Sequence, residues 1–72
     1  MTTFKIFDRN SREELIDWVD LSLSKSAISG EERNLLLSVG LDEINKGGLR
    51  GDICARWKAL GFGSDRIFDF YP

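Results

Sequence analysis

One cysteine and no histidine among 72 residues rule out a disulfide within the chain and disfavour a zinc site as what holds this protein together. Packing has to do all of it. A domain of this length buries only about 60% of the surface its unfolded chain exposes. The gain from burial is nearly cancelled by roughly 1.5 kcal/mol of entropy for each ordered residue. A core is nevertheless available, since 42% of residues are apolar and 31% charged, with mean hydropathy −0.23. Those values lie away from the low-hydrophobicity, high-charge range of disordered chains. There is room for one core, so residues 1–72 are expected to form a single domain.

Helix signals occupy the middle of the chain. Ser11-Arg12-Glu13-Glu14 has the spacing of a capping box, in which a serine side chain and a glutamate three residues on satisfy each other's backbone donors. Leu15, Ile16, Val19, Leu23 and Ala27 then recur on one helical face, and the helix is expected to end near Ser26. Ser29-Gly30-Glu31-Glu32 repeats the box. The helix behind it carries Leu35, Leu36, Leu37, Val39, Leu41 and Ile44 around most of its girth, the pattern of a central helix in a small bundle. Gly40 either ends it or sits inside it at a cost of about 1 kcal/mol. Continuity to Lys46 is expected, with Gly47-Gly48 as the stop. The third helix runs from Leu49 or Arg50 to Leu60, with Leu49, Ile53, Trp57 and Leu60 inward. Gly61 takes the C-terminal left-handed position, which lays Phe62 on Trp57.

Both ends look extended. In Thr2 to Asp8, Phe4 and Ile6 share a face, and Arg66 to Tyr71 is rich in aromatic and β-branched residues. A lone strand has no ladder partner, so the two ends are expected to pair. The fold class is therefore α+β, mainly α: three helices with a two-stranded ribbon, in the order β-α-α-α-β. Its core should include Phe4, Ile6, Leu15, Val19, Leu35, Leu36, Val39, Ile53, Trp57, Leu60 and Phe68.

The residues for chemistry are thin. Acid–base and nucleophilic catalysis need a group poised near neutral pH with a base beside it, and histidine is absent. Cys54 has Arg50 four residues before it and Lys58 four after, cations that lower a thiol's pKa. Its ordinary role is that of a small apolar residue. Glu13, Asp17 and Asp20 share one helical face and do not bracket a substrate as glycosidase carboxylates must. No segment has the calcium-loop pattern. Gly47-Gly48-Leu49-Arg50-Gly51 and Gly61-Phe62-Gly63-Ser64 lack the endings of a phosphate loop. No enzyme activity, metal or cofactor is expected. The longest apolar run, Leu35-Leu36-Leu37, is far short of a membrane span. With a single thiol and no signal-like apolar stretch near Met1, a cytoplasmic protein is expected.

Charge supplies the functional clues. Twelve acids oppose ten bases, for a net charge of −2, and the first half holds the excess. Phosphate backbones call for a basic patch. The third helix offers Arg50, Arg56 and Lys58, but scattered around its apolar stripe rather than gathered outward, as a helix-turn-helix reader requires. A strand before two helices also outlines a ribbon-helix-helix protein, where Thr3, Lys5 and Phe7 would face the bases. The first helix is less ordinary. Glu13, Glu14, Asp17 and Asp20 stand on one face with no basic residue of that helix between them, and Trp18 and Leu21 border it. The helix dipole favours Glu13 and Glu14, but Asp17 and Asp20 lie too far along. Either this is a docking patch for a basic partner, with Trp18 and Leu21 as anchors, or Trp18 packs under the terminal strands and the acids solvate the surface. The expected function is that of a small acidic binding protein that inhibits or regulates a larger macromolecule. A nucleic-acid-handling enzyme, the transcription machinery or a toxin offers the basic surface required. DNA-binding regulation through Arg50, Arg56 and Lys58 is the alternative.

Overall fold

The computed structural model describes residues 11–70. Three helices follow one another: α1 (Ser11–Ser24), α2 (Gly30–Asn45) and α3 (Arg50–Ala59). The backbone of α2 lies against both other helices, as its wide apolar girth predicts. The two outer helices meet through side chains: the rings of Trp18 and Trp57 lie 4.6 Å apart, tilted by 49°.

Each helix ends in the same way. After α3, Gly61 adopts φ +100, with Gly61 N–H bonded to Lys58 O and Phe62 N–H to Trp57 O. After α2, Gly47 adopts φ +81, with Gly47 N–H on Ile44 O and Gly48 N–H on Glu43 O. These are Schellman motifs, and both glycines stand where the sequence pattern puts them. The third motif is hidden. Ser26 takes φ 60, and Ser26 N–H and Ala27 N–H bond to Leu23 O and Ser22 O. A serine thus occupies the left-handed position that glycine fills elsewhere. The Ser29 capping box is complete, at 2.8 and 3.1 Å between Ser29 and Glu32. At α3 only the acidic half exists, with Leu49 N–H donating to Asp52 Oδ2 at 2.7 Å. The side chain of Ser11, and so the box expected there, lies outside the described residues.

The expected α+β class is not the fold observed. The described residues form an all-α bundle with no strand. From Gly63 the chain makes one helical turn, with Arg66 N–H and Ile67 N–H both on Gly63 O, and at Asp69 φ reaches 56. The backbone groups Phe68 needs for a ladder are also taken by α1. Its N–H donates to Ser22 Oγ at 2.7 Å and its carbonyl accepts from Trp18 Nε1 at 2.7 Å. The expected N-terminal strand, with Phe4 and Ile6, lies outside the described residues, as does Tyr71.

Burial follows that geometry. Leu15, Val19, Leu36, Ile53 and Trp57 are buried as expected, and Val39 is half-buried. Leu35, Leu60 and Phe68 are exposed instead, at 44%, 49% and 38%. For Phe68 the cause is the turn: extended-chain alternation does not apply, and Ile67 goes inward. Leu35 lies on the side of α2 that no described element covers, and Leu60 is the C-cap of α3. Trp18, Ile28, Cys54, Phe62 and Ile67 complete the core, with Ser22 the buried polar residue.

Gly40 lies inside α2 for a packing reason. A Cβ there would stand 2.8 Å from both methyl carbons of Leu15, a fully buried side chain that would have to shift. Overpacking costs about 1–3 kcal/mol, against about 1 kcal/mol of helix propensity regained. Gly40→Ala should therefore lower stability by about 1 kcal/mol in urea unfolding, and by less in a Leu15→Val background. Ser26→Gly should raise it by about 1 kcal/mol, because a left-handed L-residue costs roughly that much.

Candidate functional site

The acidic face of α1 divides into two kinds of carboxylate. Asp20 accepts a hydrogen bond from Arg33 Nε of α2, and that carboxylate raises the pKa of the guanidinium. The cation missing from its own helix therefore arrives from the next one. Glu14 is half-buried at the helix edge. Glu13 and Asp17 are exposed, and no ion pair among the described residues involves either.

Beside this face runs an open groove of about 210 Å³ between α1 and the C-terminal segment (residues 62–70). Its α1 wall carries Glu14, Asp17, Trp18 and Leu21, and the far wall Arg50, Phe68 and Asp69. Four of the six expected contact residues thus line one groove; Glu13 and Asp20 lie outside it. Leu21 reaches solvent at 44% exposure. Trp18 does not. It is only 5% exposed, its indole N–H holds the Phe68 carbonyl, and its ring packs on Trp57. Trp18 forms the floor rather than a projecting anchor.

The third-helix cations are separated. Arg50 Cζ lies 4.1 Å from the centre of the Trp18 ring, and its Nη2 donates to Asp69 Oδ2 at 2.9 Å and to Asp69 O at 3.2 Å. Arg56 Nη1 donates to Asp42 Oδ2 at 2.7 Å and Glu43 Oε1 at 3.2 Å. Lys58 is exposed. Arg50 and Arg56 therefore serve the fold. Cys54 is a core thiol at 1% exposure, and Arg50 is directed to Trp18 and Asp69. The groove residues that sequence analysis did not find are Phe68 and Asp69. Nothing local marks them, since the Phe68 partner on α1 is fifty residues away in the chain.

Among the described residues, no group of His, Cys, Asp and Glu has the arrangement of a metal site, and no helix is long and apolar enough to cross a membrane. No protein-family model, curated protein or solved structure matches the chain.

Two measurements check this surface. In a Trp57→Phe protein the remaining Trp18 emission should be blue-shifted and shielded from iodide; strong quenching would put the indole back at the surface. The second concerns acid. The hydrogen bond from Arg56, then that from Lys46, holds the Asp42 carboxyl below its ordinary 3.8. The Ser29 backbone N–H, then Arg66, holds Glu32 below its ordinary 4.5. Groups with depressed folded values contribute stability that is fully present above the unfolded values and lost as pH falls through the folded ones. Urea midpoints should therefore decline on acidification below pH 4.5, and less steeply in Glu32→Gln and Asp42→Asn.

Proposed function

We propose that this chain is a small acidic binding protein that acts by contact rather than catalysis, docking the α1 face and its groove onto a basic surface of a larger protein. The observation that carries this reading is that Glu13 and Asp17 are exposed and enter no ion pair among the described residues, while exposed Leu21 and Phe68 line one groove with Asp17. Carboxylates around an apolar patch steer a basic partner and set the register in which it docks. A nucleic-acid-handling enzyme or a toxin has such a surface, and the protein would then serve as its inhibitor or regulator. DNA binding is the weaker reading. Arg56 is bonded to Asp42 and Glu43 and Arg50 to Asp69, which leaves Lys58 for phosphate.

A photo-crosslinking amino acid in place of Leu21 tests the reading against the same group in place of Ser38, an exposed position on α2. In lysate of the source cell the Leu21 position should give one discrete protein adduct and the Ser38 position none. Asp17→Lys should reduce that adduct about tenfold, the scale of one lost charge contact turned to repulsion. An adduct equally strong from Ser38, or unchanged by Asp17→Lys, counts against the face. Retardation of random duplex DNA that weakens steeply with salt would favour the DNA reading.

A further inference from the structure

We infer that residues 64–70 form a strap that lifts off α1 and reseats as one unit while the three helices stay packed. The contacts that join the helices do not pass through these residues. α2 lies against both other helices, Trp18 packs on Trp57, and Trp57 Nε1 donates to Leu36 O. Phe62 belongs with the bundle: its side chain is buried and its N–H is bonded to Trp57 O. Gly63 is therefore the hinge.

Beyond the hinge the chain is held by side chains. Ser22 Oγ accepts from Phe68 N–H and Trp18 Nε1 donates to Phe68 O. Arg50 holds the carbonyl and carboxylate of Asp69, and Arg66 reaches Ala27 O and Glu32 Oε1. Ile67 is the one buried residue of the seven, while Ser64, Asp65, Phe68 and Asp69 are exposed. A segment with so little burial and such exposed bonds opens at a fraction of the free energy of global unfolding. Release also returns the conformational freedom of seven residues and relieves the left-handed backbone of Asp69, at φ 56. The tethers converge on consecutive residues, so they are lost together. Ser22 shows what closure requires: a residue with 0% exposure places its hydroxyl on the Phe68 N–H, a core position of α1 given over to tethering the tail. Phe68 and Asp69 are also the far wall of the groove, so the groove exists only while the strap is shut. The strap itself opens whether or not a partner docks there.

Native-state hydrogen exchange of the full chain, at stepped urea concentrations below the unfolding transition, tests this. The strap is read at the Ile67 and Phe68 amides and the Trp18 indole N–H, the bundle at the Leu36 and Trp57 amides. The strap probes should be protected, but at least tenfold less than the bundle probes. Their protection should vary little with urea, because that slope scales with the surface exposed on opening. Ser22→Ala should lower protection of Ile67 and of the Trp18 indole about fivefold, the scale of one hydrogen bond. Strap probes that follow the bundle probes at every urea concentration overturn the inference, since the tail then leaves only when the helices unfold. Strap probes with no protection overturn it too, as does protection indifferent to Ser22→Ala.

Discussion

The contact between Trp18 and Trp57 is the one on which the other elements depend. Their ring centres lie 4.6 Å apart, in the range where tilted aromatic pairs add about 0.5–1.5 kcal/mol beyond the area they bury. Each indole also has a polar handle aimed at a different element. Trp57, fully buried on α3, donates to the Leu36 carbonyl of α2 at 3.1 Å. Trp18, on α1, donates to the Phe68 carbonyl of the C-terminal segment. One contact therefore joins three helices and the tail. A chain with one cysteine has no internal disulfide, and no group among the described residues has the arrangement of a metal site; this pair supplies the cross-link between elements instead.

Committing Trp18 to the core shapes the surface above it. The tail is drawn across α1 by the Trp18 and Ser22 bonds to Phe68, and Arg66 secures its start by donating to Ala27 O and Glu32 Oε1. The groove is the gap left between tail and helix. Charge is sorted in the same process. Arg33, Arg50, Arg56 and Arg66 each hold a carboxylate of another element. Pairs this exposed contribute at most about 1 kcal/mol apiece. Their larger consequence is electrostatic: these cations are neutralised by internal acids, whereas Glu13 and Asp17 are exposed and enter no ion pair among the described residues.

Local chemistry was legible wherever a residue and its partner lie within one turn. The Ser29–Glu32 box, the stops at Gly47 and Gly61, and the central place of α2 follow from spacing alone. Part of the acidic groove wall was also visible, with Glu14 and Asp17 on a face shared with Glu13 and Asp20 and Leu21 at its border. Interactions between distant residues were not. Asp20 looked unpaired because Arg33 belongs to the next helix, and Arg50 looked available because Asp69 lies nineteen residues further on. Ser26 gave no sign of a left-handed residue, since serine carries no such preference.

The sequence by itself determined three helices, the Ser29 cap and the stops at Gly47 and Gly61, the scarcity of catalytic groups and the acidic stripe on α1. These depend on periodicities and propensities that act within a few residues. Only the tertiary structure decided that the described part of the tail is a turn and not a strand. Residues 66–70 have strand composition, but a strand forms only when a neighbouring backbone supplies its hydrogen bonds. Here side chains of α1 satisfy the Phe68 backbone, and Ile67 is buried in its stead. The fate of Trp18 was decided in the same way, by a ring on another helix and a carbonyl fifty residues away.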